Sequence, residues 1–173
     1  PDATPESLAS GRNILAACAE AGGGLKKFKG LKSLYEVVSL DATIQGMAMT
    51  FTTLKTVEFP AKIHTLTKTP FGNQEMAISG DKGWANGMQG MKDIEGQDLQ
   101  DAKDELKTDT IGIFRNLDDF QCQALKPTKV DGTMCNPVHV SGIGDSYQIL
   151  FIDGKTNLVK MVQSPGQSPM TGA

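Results

Sequence analysis

From Ser33 onward the hydrophobic residues of this chain change their spacing, and that change decides what the chain can build. Before it, "PESLASGRNILAACAEA" (5–21) repeats at the helical period of 3.6. Leu8, Gly11, Leu15 and Cys18 fall on one face, with Ile14 and Ala21 beside it. Thr4 is a good N-cap, Pro5 fits the first helical position, and Glu6 suits the positive end of the helix dipole. Gly22-Gly23-Gly24 stops the helix, and a short basic turn, "LKKFKGLKS", follows. After it the period is 2. In "LYEVVSLDATI" (34–44), Leu34, Val38, Leu40, Ala42 and Ile44 share a face, and Ser39, Asp41 and Thr43 take the other.

The alternation then recurs down the chain. Gln45-Gly46 reads as a turn, and the next strand puts Met47, Met49, Phe51, Val57 and Phe59 on one side before Pro60 ends it. "KIHTLTKT" (62–69) is β-prone, "PFGN" is turn chemistry, and "QEMAIS" (74–79) is a short strand. "GDKG" reads as the turn after it, with Trp84 the first residue of the returning strand. Gly87 and Gly90 then allow a bend. A second helix is predicted over 97–107, where Leu99, Ala102 and Leu106 keep helical spacing among charged residues. Past "TIGIF", strands return at 120–130, 133–141, 146–152 and 157–163. Asp131-Gly132 and Asp153-Gly154 are turn signals between them, and "GIGD" (142–145) reads as a hairpin turn. Two helices and about eight antiparallel strands argue an α+β fold, a curved open sheet wrapped over helices. No βαβ rhythm of a nucleotide-binding fold occurs.

A chain of 173 residues is long enough for one domain, burying about 70% of the surface its unfolded form exposes. With 21% charged and 39% hydrophobic residues it is neither a disordered nor a membrane composition. No apolar run approaches the ~20 residues of a transmembrane helix. The net charge of −3 gives no electrostatic reason to expect nucleic acid as a partner. The opening Pro1 suggests a processed product or a piece of something longer. Residues 1–163 read as a single domain, and "SPGQSPMTGA" (164–173) as a polar tail or cut linker.

Chemistry-bearing constellations are sparse. His64 and His139 both sit in strand patterns, and a zinc site needs three or four ligands. Cys135 and His139, four apart on a strand, lie ~13 Å from each other, too far for one metal. No nucleophile elbow or phosphate-binding glycine pattern occurs. The acids Asp98, Asp101, Asp104 and Glu105 belong to a solvated helix face, and adjacent Asp118 and Asp119 lack the ligand spacing of a calcium loop. No catalytic residue, metal or cofactor is therefore assigned to this chain.

Three cysteines exclude a complete disulfide framework. Cys18 reads as a buried core thiol. A Cys122–Cys135 bridge is the one pairing to consider in an oxidising compartment. If Asp131-Gly132 is a two-residue turn, Cys135 lies opposite Thr128 and Cys122 near Ser141. That separates the pair by about six residues, ~20 Å, against the ~7 Å limit for bridged Cα atoms. The bridge therefore requires a bent or bulged strand.

Eight methionines remain to be explained, and Met47, Met49, Met76, Met88 and Met91 cluster in the strands around Trp84. They either fill a core or line an adaptable apolar concavity for an acyl chain or extended peptide. The candidate wall is Trp84, Met47, Met49, Phe51, Met76 and Met88.

Several stretches together resemble the outer-membrane lipoprotein carrier (LolA-like) superfamily. They are a first helix ending in "AGG", "LKKFKGLKSL" before a long hairpin, "SGDKGWANG" (79–87), "QDLQDAKDELK", "KVDGTMCNPVHV" and "FIDGKTNLVKMV". The likeness covers nearly the whole chain, through turn signatures of moderate specificity. "EAGGGLKKFKGLKSL" and "IQGMAMTF" look most like the LolA-like segments that follow insulinase/pitrilysin-type zinc peptidase units. The resemblance implies a half-barrel of antiparallel strands with the N-terminal and middle helices on its concave side. It implies the bacterial periplasm or cell envelope, and an apolar space able to hold a lipid or lipoprotein acyl chain. It also implies peptidase domains of the same parent chain as partners, this segment being a non-catalytic accessory module. Family members continue into further strands, so the segment is expected to leave a sheet edge open to self-association.

Overall fold

The computed structural model describes residues 3–143 and 146–164. They divide into two compact units, one from the segments up to Gly30 and from Lys107 onward, the other from Leu31–Leu106. The expected α+β architecture is present as two open antiparallel sheets, neither closed into a barrel, with helices at the N-terminus and in the middle of the chain.

The first unit opens with helix α1 (Pro5–Ala21). The Thr4 hydroxyl accepts from the Ser7 amide while Thr4 N–H donates to the Ser7 hydroxyl, so two otherwise orphaned amides are satisfied. Gly22 caps the other end, and Gly23 and Gly24 follow at φ of 110° and 96°, where side chains are strained. Helix α2 (Leu25–Gly30) is the basic segment.

The second unit is a six-stranded meander. Its strands are β1 (Ser33–Ile44), β2 (Met47–Glu58), β3 (Lys62–Thr69), β4 (Gly72–Ser79), β5 (Lys82–Gly87) and β6 (Gly90–Ile94), hydrogen-bonded in chain order. Two elements here differ from expectation. β5 begins at Lys82, so the turn is Gly80-Asp81 and Trp84 is the third strand residue. The bend expected around Gly87 and Gly90 is a hairpin turn through Met88-Gln89, and Gly90 opens strand β6. Helix α3 (Gly96–Thr108) closes this unit, one residue longer at each end than predicted.

The chain then returns to the first unit. "TIGIF", to which the sequence pattern assigns no element, is helix α4 (Thr110–Arg115), capped by the Asp109 carboxylate on the Gly112 amide. A 3-10 turn (Leu117–Asp119) follows. The strand expected over 120–130 is broken into β7 (Gln121–Ala124) and β8 (Thr128–Val130), because Pro127 has no N–H for a ladder. Both pair with β9 (Thr133–Ile143), which pairs with β10 (Ser146–Asp153) and that with β11 (Val159–Gln163). The turn expected at 142–145 falls partly, and the polar tail beyond Ser164 wholly, outside the described residues.

The core of the first unit joins Leu15, Cys18 and Ala19 of α1 to Ile113, Phe114 and Leu117, and to Cys122, Val138, Val140, Leu150 and Ile152 of the sheet. Gly11 lets α1 approach β7, since a Cβ there would stand 2.2 Å from the Cys122 carbonyl oxygen. Phe28 of α2 stacks on Phe114, centroids 5.0 Å apart, and the Arg115 guanidinium donates to the Phe28 carbonyl at 2.7 Å.

Candidate functional site

The six-stranded sheet sorts its side chains by an unbroken cross-strand register. Leu34, Val57, Ile63, Ile78, Gly83 and Ile94 lie opposite one another in sequence, forming one row across all six strands. Leu99, Ala102 and Leu106 of α3 pack on this row, as their helical spacing predicted. A Cβ at Gly83 would meet Leu99 Cδ1 at 3.2 Å and Ile94 Cβ at 3.3 Å, so the row dips where the helix crosses it.

Two and four residues further along, toward the β1–β2, β3–β4 and β5–β6 turns, the same face opens into a cleft of about 650 Å³. Thr65, Met76, Ala85 and Lys92 form one rung of its floor, and Thr67, Gln74 and Gly87 the next. Met88, in the last turn, stands at the rim, and no residue of α3 lines the cleft. A hydroxyl pair, Thr53 and Thr67 at 3.1 Å, crosses from β2 to β3 beside it. The floor is therefore methyl and thioether surface with a few hydroxyl and amide groups and, at the β6 edge, the Lys92 side chain. It suits an apolar chain and offers no nucleophile–base pair.

Of the six expected wall residues, Met76 and Met88 line the cleft. Met47, Met49 and Phe51 share its face through their register with Ile44, Ala42 and Leu40, but they lie beyond the point where β3 stops pairing, Thr52 opposite Lys68. Trp84 is on the other face. It pairs with Ala77, one residue from Met76, and the pleat sends neighbours to opposite sides. Its row is Tyr35, Thr56, His64, Ala77 and Asp93. Thr65 and Thr67 are site residues that a search for large apolar side chains does not find, although the alternation of "KIHTLTKT" puts them on the face of Ile63.

The remaining chemistry is dispersed. His64 Nε2 and Glu75 Oε1 are 2.7 Å apart on the Trp84 face, half-exposed. His139 lies against Tyr147 in the five-stranded sheet, ring centroids 4.9 Å apart. Among the described residues no three His, Cys, Asp or Glu side chains converge as metal ligands. The Cys122–Cys135 bridge is corrected by the register. Cys135 is opposite Thr128, as derived, and Cys122 is opposite Val140, five residues away along β9, so all three thiols are free. Burial pushes the Cys122 thiol up, against the pull of the Arg12 charge. The Cys18 thiol is pushed up to about 11 by burial, offset in part by a hydrogen bond to the Val159 backbone.

No protein-family model and no curated protein matches the chain. Solved structures resemble it in fold. A DUF1329 family protein from Desulfovibrio piger superposes with a TM-score of 0.52 at 11% identity, over 93% of this chain and 74% of its own. A putative outer membrane lipoprotein-sorting protein domain from Vibrio parahaemolyticus superposes with a TM-score of 0.51 at 10% identity, over 92% and 73%. The fold is thus LolA-like, as the sequence motifs implied.

Proposed function

We propose that the chain is a carrier-type module of the bacterial periplasm or envelope that holds an apolar chain, such as a lipid or lipoprotein acyl chain, in the open cleft of its six-stranded sheet. The observation that carries this reading is the cleft itself. Its volume of about 650 Å³ falls within the ~300–1,000 Å³ of small-ligand sites. Met76 and Met88 supply adaptable apolar surface where α3 leaves the sheet uncovered. The likeness to a lipoprotein-sorting domain supports both the class of ligand and the compartment. An accessory role beside an insulinase/pitrilysin-type peptidase rests on sequence resemblance alone, and neither similar fold speaks for it.

The test is titration with a fluorescent fatty-acid analogue. Saturable binding is expected, weakened at least tenfold by Met76→Glu or Ala85→Glu, which put a carboxylate on the cleft floor. Trp84→Phe, on the far face, should bind like wild type. No saturable binding, or unchanged binding in both acidic variants, rejects the reading. Native mass spectrometry of protein expressed in a periplasm should show a copurified acyl species.

A further inference from the structure

The two ends of the six-stranded sheet are chemically unlike. At one end the β2–β3 and β4–β5 turns are charged: Glu58 pairs with Lys62 at 3.0 Å, and Asp81 with Lys103 of α3 at 2.6 Å. At the other end lie the β1–β2, β3–β4 and β5–β6 turns, Gln45-Gly46, Pro70-Phe71 and Met88-Gln89, without a charged residue among them. Each turn carries or adjoins a large apolar side chain held out in water: Met47 at 56% exposure, Phe71 at 64% and Met88 at 82%. We propose that these three hairpin tips dock the protein on a lipid bilayer surface.

The geometry favours a bilayer over a protein partner. Successive hairpins are two strands apart, so the tips are spaced about 10 Å laterally, from the ~4.8 Å between strands. By register they are also staggered along the strands: β1 and β2 pair as far as Ile44–Met47, well beyond the Thr52–Lys68 end of the β2–β3 ladder. A fluid bilayer takes apolar side chains spaced and staggered in this way without a complementary shape. A protein interface concentrates its anchors in one packed centre and needs roughly 800 Å² from each partner. Three separated knobs do not supply that.

The arm that carries the first tip is amphipathic along its length. Leu40, Ala42, Ile44, Met47, Met49 and Phe51 share one face, and Ser39, Asp41, Thr43, Thr50 and Thr52 the other. Asp41 is engaged by the Thr50 hydroxyl at 2.7 Å, and Glu75 by His64. Exposed Lys68, beside the second tip, is left to meet anionic headgroups. The cleft rim at Met88 belongs to this end, but the docking surface does not depend on what the cleft holds.

Flotation with vesicles of phosphatidylethanolamine and phosphatidylglycerol at 3:1 tests the proposal. Wild type is expected to float, and Met47→Ser/Phe71→Ser/Met88→Ser to partition at least tenfold less with an unchanged circular dichroism spectrum. Should the triple variant fail to fold, a Phe71→Trp/Trp84→Phe protein decides. Its emission should shift to the blue on vesicles and be quenched by brominated lipid, whereas wild-type Trp84 should not respond. Met76→Glu should float like wild type even where it no longer binds the fatty-acid analogue, which separates failure of this proposal from failure of the carrier reading. A wild type that stays in the aqueous fraction, an unquenched indole at position 71, or a dimer that the triple variant dissolves without flotation overturns it.

Discussion

Cys18 shows how a residue read as core by its place in a helix pattern acquires a measurable signature from burial. Its thiol titrates near 11 in the folded chain against an ordinary 9.0. The folded state therefore keeps the proton after the unfolded chain has released it. The stability this group contributes is complete below pH 9 and drains away as pH rises toward 11. The loss should be on the order of 2 kcal/mol. Thermal denaturation between pH 9 and 11 should show a steeper fall for wild type than for Cys18→Ala; parallel curves would show that the thiol is not held as described. The helix pattern made Cys18 legible because Leu15 and Cys18 sit on a single turn of one face. Trp84 was less legible for the opposite reason. Its glycine-rich surroundings say turn, and only the pairing Ala77–Trp84 tells which side of the sheet the indole takes.

The elements are positioned by two glycines of different tolerance. At Gly11 the atoms in the way are backbone, Cys122 O at 2.2 Å and Ala124 N at 2.8 Å, which cannot move without shifting α1 or β7. Gly11→Ala should cost at least about 2 kcal/mol in urea denaturation, the upper part of the overpacking range. At Gly83 the neighbours are side chains at 3.2–3.3 Å, including the end of Leu99, and Gly83→Ala should cost about 1 kcal/mol or less. Equal costs would contradict this placement of helices on sheets. The long elements were readable from period and punctuation: α1 from Thr4 to the glycines, and β1–β2 from alternation around Gln45-Gly46, both at positive φ as a tight hairpin requires. The short ones were not. α4 and β6 have five or six residues, too few to display a period, and Pro127 split a strand that apolar content alone had joined.

Over the whole molecule, burial is uneven. Leu15, Cys122, Val138, Leu150 and Ile152 are enclosed in the first unit, whereas the buried cluster between α3 and the six-stranded sheet is the smaller set Val57, Ile63, Ile78 and Leu106. Hydrogen exchange should be slowest at the amides of α1, β9 and β10 and fast along residues 39–51, where the β1–β2 arm has lost its β3 neighbour; protection of the arm equal to that of β10 would refute this ranking. The α+β class was legible in the sequence, but its division into two sheets was not. Alternation reveals faces and turns, whereas strand partnership past Ile94 is decided by a helical stretch that reads as a mere interruption. The same division has a consequence for biogenesis. The second unit is inserted in the sequence of the first, and Arg12 finds its acceptor on Phe120 only 108 residues later. During vectorial synthesis the meander of residues 31–106 can fold as it emerges, because every strand pairs with its immediate predecessor. α1 is made first and must wait for β7, β9 and β10 before its apolar face has anything to cover it. Until those strands emerge the nascent chain carries the apolar face of α1 uncovered, the interval in which a holding chaperone has the most to bind.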